Sequence, residues 1–343
     1  MHTKKISSAT HLMVVVGLLL TLSMPQLVRA EANEVRLSEQ YGLSYLPMQV
    51  VVKHKLIQKY ARTAGLGDIK VKLYQLGGGG ASNDAILSGA VDFNATGIGP
   101  LISMWAKTQG REDVRAVMPL AASPTTLTTV NPAVHSLSDY LKVSGGQIAL
   151  PAVSVSIQSR ILQMAAEKEL GSNNTFRLDR VTVSMKNPDA YMALMSPNPS
   201  VQSHFAIEPY TTMELRGGAR KVISSYDVLG GSHSLTLLWT TARFIRDNPK
   251  LYNAVVNAFL EAMKWINENP KDAAGLYSDI SKSILTQEEV LGIITDKNKI
   301  EYTPVPIKTM EIATFMYKVG AISKKPKDWK ALFWQNEYNL PGN

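Results

Sequence analysis

The feature that most constrains this chain is a regular alternation, up to Thr241, of short strand-like runs with helix-like ones. Val35 to Gln40, Ile69 to Leu76, Val91 to Thr96 and Val114 to Ala121 have the apolar alternation or buried character of strands. Between them, Val50, Val51, His54 and Ile57 repeat at helical spacing behind Pro47, and Gly97-Ile98-Gly99-Pro100 opens a helix from Leu101 to Lys107. A second block repeats the scheme. Strands are predicted at Leu127 to Val130, Gln147 to Pro151, Val181 to Met185, His204 to Ile207 and Lys221 to Tyr226, with a helix carrying Ile157, Ile161, Met164 and Ala165 on one face. After the strand Leu235 to Thr241 the chain turns helical, beginning with a long amphipathic helix behind Asn248-Pro249. Such alternation predicts an α/β fold with largely parallel sheets. In that architecture ligands bind at loops beyond the carboxyl ends of strands. Here those loops are rich in Gly, Ser, Thr and Pro.

The first thirty residues follow a different logic. Lys4 and Lys5 precede an apolar run from Leu12 to Leu22, then Pro25 and the small residues Val28 and Ala30. This is the three-part pattern of a secretory signal peptide, with cleavage expected near Ala30. The run is about half the roughly 20 residues a spanning helix requires. The expected product is exported to the periplasm.

The chain's chemistry is marked by what is missing from its motifs. It has 0 Cys, which excludes disulfides, thiolate metal sites and a cysteine nucleophile. His54, His135, His204 and His233 lack the spacing of metal ligands, and neither an HExxH nor a GxSxG motif is present. Gly77 to Gly80 lacks the Lys-Ser/Thr of a phosphate loop, and Gly97-x-Gly99 lacks the third glycine of a dinucleotide fingerprint. Both read instead as places where the backbone approaches a neighbour or a ligand closely. The formal net charge of +8 is dispersed, with no basic stripe for nucleic acid, and Lys4, Lys5 and Arg29 fall in the signal segment. The expectation is a binder rather than an enzyme, with no cofactor and no metal.

Several motifs, in order, carry a family likeness: Tyr41-Gly42-Leu43-Ser44-Tyr45-Leu46-Pro47, Leu87-Ser88-Gly89-Ala90-Val91-Asp92-Phe93, Gly97-Ile98-Gly99-Pro100-Leu101, Ile148-Ala149-Leu150-Pro151, Glu208-Pro209-Tyr210 and Asn248-Pro249-Lys250. Together behind a signal peptide they resemble the periplasmic substrate-binding proteins of nitrate/sulfonate/taurine-type ABC importers, including aliphatic-sulfonate-binding and thiamine-precursor-binding relatives. The resemblance implies a two-lobed periplasmic-binding-protein fold (type II) with a cleft between lobes. Residues 31–121 plus 231–343 would form one lobe and 122–230 the other. By position it implies a pocket drawing on Tyr41, Gly42, Gly79, Gly80, Thr96, Gly97, Ser123, Ser154, Ser156, Glu208 and Tyr210. The implied function is capture of a small sulfonate-, nitrate- or taurine-like anion by a monomer that hands it to a membrane permease and its ATPase. No arginine stands at an expected pocket loop, and the Tyr41/Tyr45 pair suits a flatter solute, so an aromatic acid or pyrimidine-type ligand is the alternative, as is a sensory role.

Overall fold

Ten short runs become strands: β1 (Glu34–Glu39), β2 (Lys70–Gln75), β3 (Phe93–Gly97), β4 (Arg115–Ala122), β5 (Thr126–Thr129), β6 (Ile148–Leu150), β7 (Thr182–Ser184), β8 (Ser203–Ala206), β9 (Arg220–Ser224) and β10 (Ser234–Thr240). The computed structural model describes residues 30–343 apart from 144–146 and 282–283; the expected signal peptide lies outside the described residues except for Ala30. Two five-stranded sheets result, ordered β2-β1-β3-β10-β4 and β7-β6-β8-β5-β9. Strand character follows place in the sheet. β2 (KVKLYQ) is open along its length and carries lysines, as an edge strand tolerates, whereas β10 (SLTLLWT) is buried throughout between two neighbours. Pro119 sits in β4, the opposite edge, where its missing N–H leaves no ladder partner wanting.

The sheets are mixed rather than largely parallel. β1 runs parallel to β2 and β3, and β6 runs parallel to β7 and β8. β10 lies antiparallel to β3 and β4, and β5 antiparallel to β8 and β9. The reversed strands are the two that follow a passage from one sheet to the other; the first passage has no helix and the second only the single short turn Ser225–Leu229. The chain makes that passage twice, at residues 123–125 and 225–233. The two passes run side by side: Ala122 pairs with Ser234, Thr126 pairs with Ser224, and the Ser225 amide donates to the Thr125 carbonyl at 2.8 Å.

Helices cover the sheets: α1 (Leu46–Lys53), α2 (Leu56–Thr63), α3 (Gly79–Leu87), α4 (Ile98–Thr108), α5 (Ile157–Leu170), α6 (Asn187–Leu194), α7 (Tyr210–Arg216), α8 (Ser225–Leu229), α9 (Ala242–Asp247), α10 (Pro249–Glu268), α11 (Pro270–Ser281), α12 (Gln287–Ile294) and α13 (Thr309–Lys318). α10 buries Leu251, Val255, Phe259, Ala262 and Ile266, the apolar face read in the sequence. The helix expected behind Pro47 is instead two, α1 and α2, broken at Lys55, which takes a left-handed conformation at φ 52°. α3 begins at Gly79, six residues ahead of the apolar run that announced it. One hydrophobic cluster, including Leu37, Phe93 and Trp239 of the first sheet and Leu127, Ile148 and Phe205 of the second, runs through both layers. No described helix is long and apolar enough to cross a membrane.

Candidate functional site

Strand tips of the two sheets meet where β1 ends. Gly42 sits at φ 128°, and a Cβ there would stand 2.7 Å from the Ile207 side chain and 3.0 Å from the Glu208 carbonyl oxygen. The next amide, Leu43, donates to that Glu208 carbonyl at 2.9 Å. From α6, the Asn187 side-chain amide donates to the Tyr41 carbonyl at 3.4 Å. Asn187 is itself held from behind, its Oδ1 lying 3.2 Å from His204 Nε2, while His204 Nδ1 lies 2.6 Å from Glu214. His204 and Glu214 are both fully buried. Such a network orients an amide more tightly than one bond would.

The glycines that lack a phosphate-loop or dinucleotide continuation serve this meeting of backbones. A Cβ on Gly78 would lie 2.7 Å from the Pro151 carbonyl oxygen, and one on Gly99 would lie 3.1 Å from both Ile157 N and Val155 O. Gly97 would press on the Ile157 side chain at 3.3 Å, and Gly79 on Pro100 at 2.7 Å with Val155 beyond at 3.5 Å. The first-sheet loops therefore pack against segment 151–157 at backbone distance, which only glycine permits. That segment leads into α5, whose N-cap Ser156 accepts from the Ser159 amide at 3.3 Å. The amides of Ile157 and Gln158 belong to the first turn, which a helix leaves without internal acceptors.

Two adjoining cavities remain among these contacts, both bordered by Gln40 and Tyr45. The first lies between Gly79, Gly97 and Pro100 on one side and Pro151, Ser156, Ile157, Asn187 and Ile207 on the other. It leaves ≈ 20 Å³, room for about one water. The second holds ≈ 270 Å³ and is walled by Tyr41, Gly42, Tyr45, Tyr210 and Tyr277, with Glu39, Gln49 and Gln75 as polar lining. Glu39 is 4% exposed. One carboxyl oxygen accepts from the Gln49 amide, and the other, Oε2, is buried with no hydrogen-bond partner among the described residues. Burial, opposed by Gln49, pushes the Glu39 carboxyl up to about 8. Burial also raises the phenols of Tyr45, Tyr210 and Tyr277 above the ordinary tyrosine range. No Lys, Arg or His lines either cavity among the described residues.

The residues singled out from the sequence separate into three groups. Tyr41, Gly42 and Tyr210 border the larger cavity, and Gly79, Gly97 and Ser156 border the smaller. Thr96, Ser123, Ser154 and Glu208 line neither cavity. Thr96 Oγ1 donates to the Gly97 carbonyl at 3.1 Å and Ser123 Oγ to the Lys299 carbonyl at 2.6 Å. Ser154, at φ 59°, has its carbonyl held by the Arg160 guanidinium. Glu208 is buried, its carboxylate accepting from the Thr212 amide at 3.3 Å. Gly80 is exposed and has nothing within 4 Å. The sequence reading passed over Glu39, Gln49, Gln75, Asn187 and Tyr277. Glu39 and Gln40 had a signal in principle, being polar residues that end an otherwise apolar-alternating strand at its carboxyl tip. Tyr277 had none, since it arrives from α11, far along the chain.

Comparison with known proteins adds to this geometry. The family model described as NMT1/THI5 like matches residues 64–273. A putative aliphatic sulfonates-binding protein of Bacillus subtilis (strain 168) is 29% identical over 149 residues, which is 42% of this chain and spans 43% of that relative's length. Among solved structures, the alkanesulfonate-binding protein SsuA from Xanthomonas axonopodis pv. citri, bound to MOPS, superposes with TM-score 0.68 at 17% identity, covering 89% of this chain and 99% of that one. The periplasmic nitrate-binding protein NrtA from Synechocystis PCC 6803 gives 0.65 at 15% identity, covering 88% and 84%. These likenesses show the periplasmic-binding-protein fold. The three proteins carry the names of binding proteins, and none that of an enzyme.

Proposed function

The chain belongs to the NMT1/THI5-like family, and on that premise we propose that it is an extracytoplasmic solute-binding protein that captures a small molecule between two lobes and delivers it to an ABC importer. The lobes are residues 31–121 with 231–343, and 122–230. The observation that carries the reading is the convergence of loops from both sheets on adjoining cavities at the tips of β1, β3, β6 and β8. Glycine-mediated backbone contact between residues 78–99 and 151–157 fits a closed arrangement, reached by hinge motion about the paired passes.

The names of the relatives favour a small anion of the sulfonate, nitrate or taurine kind, and the first-turn amides of α5 beside the smaller cavity suit an anionic head. A specific observation favours a second class, an aromatic or pyrimidine-type solute: the larger cavity is walled by four tyrosines and, among the described residues, contains an acid but no base. Native mass spectrometry of protein gently purified from its own periplasm tests the shared claim. A bound small molecule, and a thermal shift with it by mass action, is expected. Absence of any bound solute, with no shift across sulfonates, nitrate, carboxylates, amines and heterocycles, refutes it. The same spectrum tests export, since the chain is expected to begin at Glu31.

A further inference from the structure

We infer that the tyrosine-walled cavity at the end of β1 is built for a flat solute that offers nitrogen-bound hydrogens to the Glu39 carboxyl, an amidine-like edge, and not for a small anion. The inference rests on the binding-protein reading and names the solute class for its larger cavity.

Four observations carry it. Glu39 Oε2 is buried, lines the cavity and lacks a partner among the described residues, whereas its other oxygen is already taken by Gln49. A buried acceptor without a donor is destabilising, so a guest N–H placed there removes a standing penalty. The walls are phenol faces from Tyr41, Tyr45, Tyr210 and Tyr277, which match a planar ring and whose negative faces attract positive charge. The remaining polar lining includes the amides of Gln40, Gln49 and Gln75, which supply both donors and acceptors. Finally, an anion entering here would lose its water beside a buried carboxyl, with no cationic side chain among the described lining residues to replace it. Lys186, the cation recorded against a wall residue, stands 5.8 Å from the Tyr41 ring centroid and is not part of the lining.

The pH response follows from the same groups. Glu39 faces Tyr41, Tyr45, Tyr210 and Tyr277 across the cavity. Burial raises the last three, so they keep their protons where Glu39, near 8, gives its proton up. Of the other buried carboxyls of this region, Glu208 is engaged by Thr212 and Glu214 by His204, and both lie outside the lining. A cationic guest needs the ionised carboxylate, so below about pH 8 its affinity falls roughly tenfold per pH unit, and above it levels off.

The test uses the mature full-length protein and two probes of one shape and opposite charge, benzamidine and benzoate, titrated calorimetrically between about pH 6 and about pH 9. Benzamidine is expected to bind at least about tenfold more tightly than benzoate near the upper end, with the stated pH slope. Glu39→Gln, which keeps the side chain's shape, is expected to lose about tenfold or more of the benzamidine affinity together with that slope. Its ligand-free thermal unfolding is expected to stay at or above the parent's, which separates the result from misfolding. Tighter binding of benzoate, no binding of benzamidine, or an unchanged slope in Glu39→Gln overturns the assignment. Any of these leaves the binding-protein reading standing, because that reading falls only if no solute of any class is carried or bound.

Discussion

Replacing Gly78 with alanine inserts one methyl group at the point where the first sheet's loops touch segment 151–157. Gly78 has φ 175°, an extended conformation open to any residue, so the substitution costs nothing through the backbone itself. Its whole effect comes from the added Cβ, which would lie 2.7 Å from the Pro151 carbonyl oxygen, where ordinary contact begins near 3.4 Å. The Pro151 backbone must retreat by about 0.7 Å, and overpacking of that order costs about 1–3 kcal/mol. On the proposed two-lobe reading Gly78 and Pro151 belong to opposite lobes, so the penalty is expected to fall on the closed arrangement alone. The population competent to hold solute drops accordingly, and apparent affinity weakens by about 5- to 150-fold. The assay is titration calorimetry with the solute found on the natural protein, alongside X-ray scattering of the saturated complex. Gly80→Ala is the control, since nothing lies within 4 Å of that position and it sits inside α3; affinity there is expected to hold. Gly78→Ala that binds as tightly as the parent, with the same scattering radius when saturated, would refute the idea that closure presses these backbones together.

Two further outcomes concern pH. His233 is buried, and its pKa is lowered to about 4 by desolvation, although its ring contacts Ser225 and the Ser234 carbonyl. The unfolded chain takes up that proton at about 6.5 and the folded chain only near 4, so stability falls as pH drops through this window, by about 3 kcal/mol. Denaturant titrations at several pH values are expected to show this slope in the parent and to lose it in His233→Gln. Glu337 behaves oppositely: burial raises its carboxyl to about 8, and Oε2 has no partner among the described residues. Stability is lost as pH rises from about 4.5 towards 8, so Glu337→Gln is expected to add a few kcal/mol near pH 8.5 and little near pH 4. Equal gains at both ends of the range would contradict that account.

The strands were legible because each is short, bounded by turn residues and either alternating, as in β1, or uniformly apolar, as in β4 and β10. Strand direction was not legible, because side-chain periodicity is the same either way; the reversal of β5 and β10 follows from the passes between sheets. The break at Lys55 carries no glycine or proline to announce it; beyond it α2 packs against α10. At the site, glycine announced close approach at positions 78, 79, 97 and 99, but a missing side chain cannot name its neighbour, and most of that neighbour is Pro151 to Ile157. Tyr41 and Tyr210 stood out as aromatics in polar loops. Glu39 did not, because an acid at the end of a strand is ordinarily solvated, whereas this one is buried beside the tyrosine-walled cavity.

The side-by-side passage of the chain between its sheets sets how the molecule can flex. The two passes, one of three residues and one carrying α8, are tied by strand pairing at both ends, and the proposed hinge would bend and twist there. Ser123, Pro124 and Thr125 are all the residues of the shorter link. On the proposed hinge reading, a molecule strapped this way would swing as a door does, so that grip on a guest would be decided at the rim and not at the pivot.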